Sequence, residues 1–81
     1  MKYFVYSIKS LTKNYIYVGL TNNVKRRFSQ HNNGQEKTTR FYASFRIRML
    51  LVESFSTRIE ARKREKYLKS GIGKEFLKSL V

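Results

Sequence analysis

The sequence predicts an α+β fold: a small three-stranded, mostly antiparallel sheet flanked by helices, in the order β-β-α-β-α-α. Three segments are rich in aromatic and β-branched residues, which are typical of strands. Three other segments carry apolar residues at helical spacing, and two of these follow residues that cap helices. The length of 81 residues allows one modest core, so residues 1–81 are expected to form a single domain.

The first two strands are expected to form a hairpin. Residues 2–9 (KYFVYSIK) and 15–20 (YIYVGL) have strand composition, and the polar residues 10–14 between them indicate a turn. Tyr6 lies centrally in the first strand and Tyr17 in the second. A turn centred early in the connection places Tyr6 beside Tyr17, whereas a later turn does not, so the sequence leaves the register open.

A short helix is expected after the hairpin. Residues 21–23 (TNN) supply N-cap candidates, and the helix then runs to about residues 30–31. Val24 and Phe28 form its apolar i, i+4 pair, and residues 32–34 (NNG) end it, because they tolerate the left-handed conformation.

A polar loop and a third strand follow. The loop is predicted over residues 35–44 and the strand over residues 45–53 (FRIRMLLVE). Three apolar residues of the strand are expected to share one face: Ile47, Met49 and Leu51.

Two helices complete the predicted fold. Thr57 and Glu60 form a capping box, so the second helix begins there and is expected to run to about residue 70. Gly71 is expected to end it, and residues 74–80 suit a short C-terminal helix.

The charge of the chain points to a polyanionic partner. Lys and Arg number 18 against five acidic residues, which gives a formal net charge of +13. Nucleic acid is the commonest partner of such a domain. An anionic membrane is the rival, but the aromatic residues lie in strand-like segments, and no apolar run is long enough to span a bilayer. A soluble cytoplasmic protein is expected.

The composition excludes several kinds of site. Without cysteine there is no disulfide framework and no thiolate zinc site, and one histidine cannot build a histidine cluster. All five acids are glutamates, so a two-metal site with several carboxylates is disfavoured and at most a one-carboxylate site remains. Glu60 is accounted for by the capping box, and three others are expected to be solvated: Glu36, Glu53 and Glu75.

Glu65 does not fit the pattern of its helix. The inward stripe of the second helix is marked at i, i+7 and i+11 by Ala61, Leu68 and Ile72. Glu65 falls on this stripe, where a carboxylate is costly to bury unless a cation meets it. The alternative is an incidental ion pair with Arg62 or Lys69 at the helix edge.

Arg27 and His31 are a second case of residues that do not fit the pattern of their helix. They are spaced i, i+4 and so share a helix face, about 60° from the apolar pair of that helix. At this border of the buried face a side chain is held firmly yet can reach a ligand, whereas Lys25 and Arg26 point elsewhere and attract phosphate. The alternative for His31 is a helix-terminal imidazolium that interacts with the helix dipole.

The tyrosines are numerous, with six in the chain. Four are expected to be ordinary half-buried sheet or rim aromatics: Tyr3, Tyr15, Tyr42 and Tyr67. Gly19 comes two residues after Tyr17, and a glycine within a strand indicates the close approach of a backbone or ligand. By packing alone, Tyr6 and Tyr17 are better explained as core residues.

Taken together, these residues resemble the GIY-YIG nuclease family, in particular its small stand-alone bacterial members. The two signature tripeptides are similar to Phe4-Val5-Tyr6 and Tyr17-Val18-Gly19. Residues 19–34 look like the family helix with its catalytic Arg and following His, and residues 60–69 like its metal-binding Glu helix. The resemblance covers residues 2–77. Phe4 stands where the family name has Gly, and no Asn follows Asn33, although many family nucleases have a late one.

The resemblance implies a divalent-metal-dependent endonuclease that hydrolyses DNA phosphodiester bonds with an activated water, on DNA that includes branched or damaged forms. The implied catalytic residues are Tyr6, Tyr17, Arg27, His31 and Glu65. Glu65 would hold one Mg²⁺ or Mn²⁺ ion, and no small-molecule cofactor is implied. The residues expected to contact nucleic acid are Lys25, Arg26, Lys37, Arg40, Arg62 and Lys66.

Three points stay open at this stage. The sequence does not say which tyrosine is the general base, although one must be activated because its reference pKa is roughly 10. A basic nucleic-acid-binding module with weak or lost cleavage is the alternative function. A structural basic protein is the third and least favoured reading.

Overall fold

The computed structural model describes residues 2–11, 13–32 and 47–81. Its elements are β1 (Tyr3–Ser10), β2 (Ile16–Thr21), α1 (Val24–Asn32), β3 (Ile47–Phe55), α2 (Arg58–Lys69) and α3 (Gly71–Lys78). The predicted α+β class and element order are therefore confirmed, with strand ends shifted by one or two residues. The predicted loop at 35–44 lies outside the described residues, and none of the described helices is long and apolar enough to cross a membrane.

The sheet has the order β2-β1-β3, with both neighbours antiparallel to β1. Because successive side chains of a strand point to opposite faces, Val5 and Val18 lie on one face of the sheet, and Tyr6 and Tyr17 on the other. Helices α2 and α3 cover the first face and form a core there, made of Val5, Val18, Ala61, Leu68 and Leu77. The tyrosines face away from this core.

The hairpin turn lies later than the position that would place Tyr6 opposite Tyr17. Tyr6 pairs with Gly19, and Tyr17 pairs with Ile8. The two tyrosines are therefore diagonal neighbours on one face, a relation in which long side chains still meet.

Strand β3 contains an irregularity that the sequence did not reveal. Ser7 pairs with Leu51 and Ile8 with Met49, so Leu50 is an extra residue opposite β1. A bulge of this kind reverses which side chains of the strand point to which face of the sheet. The prediction that Ile47, Met49 and Leu51 share one face is consequently wrong, since Met49 and Leu51 oppose neighbouring β1 residues.

The predicted N-cap at Thr57 is confirmed, and Glu60 meets the Thr57 hydroxyl, whereas a capping box predicts a bond to the Thr57 backbone N–H. The Thr57 hydroxyl oxygen accepts a hydrogen bond from the Glu60 backbone N–H (3.2 Å) and donates one to the Glu60 carboxylate (2.9 Å). The predicted end of the helix near residue 70 is confirmed, since α2 ends at Lys69 with Ser70 as its C-cap, but Gly71 does not end it, because Ser70 also caps α3. Its hydroxyl accepts from the Gly73 backbone N–H (3.2 Å), so Gly71 begins a helix that starts three residues before the predicted residue 74.

This junction changes which residues are buried. Helix α2 stops before Ile72, so the i+11 position of its stripe is lost and Ile72 is 73% exposed. Gly73 and Leu77 are buried in its place. A Cβ on Gly73 would overlap the carbonyl of Tyr67, so only glycine allows α3 to pack this closely on the end of α2.

Glu53 was expected to be solvated, and this expectation is wrong. Strand β3 continues past it to Phe55, and Glu53 pairs with Val5, which places its side chain on the face covered by α2. Its carboxylate oxygens accept hydrogen bonds from the Arg64 Nε (2.7 Å) and Nη2 (3.1 Å). This bidentate hydrogen bonding raises the pKa of Arg64 above its ordinary value. Glu75, in contrast, is exposed and lies 3.6 Å from the Lys78 ammonium.

Candidate active site

Three of the predicted site residues lie together on the sheet face opposite the core. The Tyr6 hydroxyl is 2.7 Å from His31 Nε2. The His31 ring centroid lies 5.6 Å from that of Tyr6 and 4.8 Å from that of Tyr17, and the two tyrosine centroids are 6.2 Å apart. The C-terminal turn of α1 thus closes over the two strands of the hairpin, β1 and β2.

The cluster depends on Gly19, which lies beneath the Tyr6 ring. A Cβ at Gly19 would sit 2.6 Å from the Tyr6 hydroxyl oxygen and 2.7 Å from Cζ, both far inside van der Waals contact. The close approach predicted from this in-strand glycine is therefore made by a side chain of the same protein. Glycine lets the phenol lie flat across β2 and reach His31.

We predict that Gly19→Ala destabilises the protein by about 1–3 kcal/mol, because the added methyl overpacks a site where Tyr6 is only 1% exposed. Urea unfolding measures the change, and the NMR shifts of the His31 imidazole report whether the hydrogen bond to Tyr6 is displaced. Gly71→Ala is the matched control, since a Cβ there meets no atom within 4 Å. Equal stability changes in the two variants would contradict the packing argument.

His31 lies deeper than the border position expected for it. It is fully buried, whereas Val24 and Phe28, the predicted apolar pair, are only partly buried. His31 lies in the last turn of α1, as the alternative of a helix-terminal histidine requires, and its ring also contacts Tyr6 and Tyr17. Which of the Tyr6 and His31 atoms donates depends on the imidazole tautomer.

Arg27 lies one turn before His31 on α1. Helix α1 begins after Asn23, whose side-chain oxygen accepts from the Arg26 backbone N–H (3.0 Å), as the N-cap prediction requires. The Arg27 guanidinium is partly buried and donates from Nη1 to Gln30 Oε1 (2.9 Å). Gln30, a partner that the sequence did not suggest, therefore restrains the guanidinium.

Glu65 is buried and ion-paired at the same time. It is 8% exposed, in line with its position on the stripe between Ala61 and Leu68. Its Oε1 lies 3.5 Å from the Arg62 Nη1, and its Oε2 lies 3.2 Å from the Lys69 Nζ. Both readings of the sequence thus apply: the carboxylate is on the buried face, and the expected neighbours supply positive charge.

A surface groove runs along β2. It has a volume of about 310 Å³, and Tyr17 and Lys69 are among the residues that line it. Glu65 is on α2, which packs on the sheet face opposite the tyrosines, and its Oε2 meets the Lys69 Nζ. The structure thus brings Tyr6, Tyr17 and His31 together, and Lys69 belongs both to the groove beside Tyr17 and to the ion pair of Glu65.

Within the described ranges, no three His, Cys, Asp or Glu side chains cluster to hold an ion. Glu65 offers one carboxylate, and in this structure its two oxygens are paired with Arg62 and Lys69. A single carboxylate can hold Mg²⁺, because this ion retains waters and accepts substrate phosphate oxygens. An ion at Glu65 would have to displace the two cationic side chains.

Four of the predicted nucleic-acid contacts are exposed on two helices. Lys25 and Arg26 lie on α1, and Arg62 and Lys66 lie on α2. Arg26 donates to Asn22 Oδ1 (3.4 Å), and Arg62 is the partner of Glu65. Lys37 and Arg40 lie outside the described residues, as do Glu36 and Tyr42.

The comparisons with known proteins agree with this architecture. The model of the GIY-YIG catalytic domain family matches residues 2–76. The solution NMR structure of the UPF0213 protein BH0048 from Bacillus halodurans is similar, with a TM-score of 0.58 and 31% sequence identity over 99% of this chain and 85% of that one. No curated protein matches this chain significantly.

Proposed function

This chain belongs to the GIY-YIG family, and from that premise we propose that it is a divalent-metal-dependent DNA endonuclease. The family domain suggests nuclease activity. The observation that carries the proposal is the cluster of Tyr6, Tyr17 and His31, built from three separate elements within the matched residues. A protein that only binds DNA needs positive charge, but it has no need of a phenol hydrogen-bonded to a buried imidazole.

We assign the general base to Tyr17 and a positioning role to Tyr6. Tyr17 is partly exposed and lines the groove, so its hydroxyl can take a proton from a water at the phosphodiester. Tyr6 is 1% exposed and its hydroxyl is engaged by His31. Tyr6 and His31 therefore hold the Tyr17 ring in place.

Arg27 is proposed to bind the non-bridging oxygens of the scissile phosphate. A guanidinium donates two parallel hydrogen bonds to such oxygens, and negative charge builds on them in the transition state. Its bond to Gln30, three residues along α1, restrains the guanidinium before substrate arrives.

Glu65 is proposed to hold the metal ion, on which nucleases of this family generally depend. Lys69 and Arg62 have half-exposed side chains, so either can move away from the carboxylate. A bound Mg²⁺ or Mn²⁺ ion supplies Lewis-acid neutralisation of the charge on the leaving oxygen. In the absence of the ion, the two cations balance the charge of Glu65.

The same ion pairs give the alternative function its support. Both Glu65 oxygens already meet cationic side chains, which is how a carboxylate that never binds metal would be satisfied in a basic DNA-binding module. Cleavage separates the two functions, since a binding module retains the affinity for DNA without the chemistry.

The test is cleavage of labelled single-stranded, duplex, flap and junction DNA by the purified protein. We expect nicking or cutting with Mg²⁺ or Mn²⁺ and none in EDTA. Binding in EDTA is expected to weaken steeply with salt, since a chain of net charge +13 releases condensed counterions from DNA. Binding without cleavage on all four substrates would support the DNA-binding module instead.

A further inference from the structure

Two concavities adjoin along strand β2. One is the groove of about 310 Å³ next to Tyr17, and the other, of about 280 Å³, continues from it toward the hairpin turn. They share Tyr15, Ile16 and Lys74, so they form one channel, called here the β2 channel. Among the described strands β2 lies at the edge of the sheet, and the channel follows this edge.

The walls of the β2 channel combine positive charge with aromatic surface. Lys74 and Lys78 are spaced i, i+4 on α3 and share one face of that helix. Lys69 follows at the end of α2, beside Tyr17. Three lysines therefore line a path that leads from the hairpin turn to Tyr17, and Tyr15 is shared by both concavities. The ammonium of one of them, Lys69, is paired with Glu65.

We propose that the β2 channel binds an unpaired stretch of the DNA substrate next to the bond that is cut. Lysines spaced along a groove follow a phosphate backbone, and partly buried tyrosines provide surfaces on which bases stack, as in proteins that bind single strands. This inference rests on the proposed nuclease function, because it names the substrate form for that site.

The test compares the binding of two DNA molecules in EDTA, where cleavage is absent. One is a short duplex, and the other is the same duplex with a six-nucleotide single-stranded tail. Fluorescence anisotropy is expected to show about tenfold tighter binding of the tailed DNA. Lys74→Gln/Lys78→Gln and Tyr15→Leu should each remove most of this gain while the affinity for the plain duplex changes less than about threefold.

Control variants distinguish the contribution of the channel residues to binding from the effect of the net charge of the protein. Lys2→Gln/Lys63→Gln removes the same charge from exposed positions outside the channel, and Tyr67→Leu removes a half-exposed tyrosine on α2. Both should keep the tail-dependent gain. The salt dependence of binding to the tailed DNA should fall by roughly 0.7 in slope per channel lysine removed.

Two results would overturn the inference: no gain from the tail in the native protein, or an equal loss of the gain in the channel variants and their controls. A circular dichroism spectrum of each variant shows whether it is folded, so that a loss of binding caused by misfolding is recognised. Failure of the nuclease proposal looks different, because tail-dependent binding would then persist in EDTA while no DNA is cut with metal. Replacing the DNA tail with RNA shows whether the channel distinguishes the sugar.

Discussion

Glu65→Gln is expected to abolish DNA cleavage, lowering its rate roughly a thousandfold or more. The change keeps the volume of the side chain but removes the charge that would hold a divalent ion. Each tenfold decrease in rate corresponds to about 1.4 kcal/mol of activation free energy. The expected decrease therefore equals the loss of several kcal/mol by which the metal ion stabilises the transition state. Single-turnover cleavage with Mg²⁺ measures the rate, and calorimetric titration with Mn²⁺ in the absence of DNA measures ion binding directly.

The variant should remain folded and should bind DNA. Lys69 and Arg62 are about half exposed, so removing the charge of Glu65 leaves both cations in contact with water. Glu75→Gln is the matched control, because it changes the net charge equally at an exposed glutamate of α3. Unchanged Mn²⁺ titration or full cleavage in Glu65→Gln would refute the metal assignment.

The unusual position of Glu65 could be predicted from the sequence because helical phase is a local property. Ala61 and Leu68 define the stripe within one helix, and Glu65 falls between them whatever lies opposite. The N-cap at Thr57 is equally local. The bond from the Glu60 backbone N–H to the Thr57 hydroxyl therefore follows the prediction.

Features that depend on two elements at once could not be predicted in this way. The sequence does not reveal that Ser70 caps two helices, so Ile72 was assigned to a stripe that had already ended. The extra residue at Leu50 becomes apparent only against β1, its partner strand. Glu53 likewise required knowledge of which sheet face α2 covers.

The same distinction between local features and features that depend on two elements applies to the candidate site. Tyr6, Tyr17 and His31 could be named from their ordered motifs, but the hairpin register that makes the tyrosines diagonal neighbours depends on a turn the sequence left open. The sequence indicates Lys69 only as an alternative partner of Glu65, and no pattern in it singles out Lys74. Their alignment with Tyr17 arises from the packing of α2 and α3 beside β2, which no spacing in one segment encodes.

Arg27→Ala is expected to lower the cleavage rate by about 10²–10³-fold, the usual cost of removing a preorganised donor to a developing oxyanion. The effect should appear in the single-turnover rate at saturating DNA, because the interaction strengthens in the transition state. Mn²⁺ binding should be unchanged, since Arg27 lies on α1 and Glu65 on α2. This outcome separates the phosphate role from the metal role.

Arg27→Lys sharpens the test, because it keeps the charge and removes only the planar fork. If bidentate donation to the phosphate is what Arg27 provides, lysine should recover less than about a tenth of the native rate. Lys25→Ala, on the exposed face of the same helix, should instead weaken DNA binding and leave the rate at saturation near native. A lysine variant as fast as the native protein would show that Arg27 acts through charge alone, and the proposed hydrogen bonds to the non-bridging oxygens would have to be abandoned.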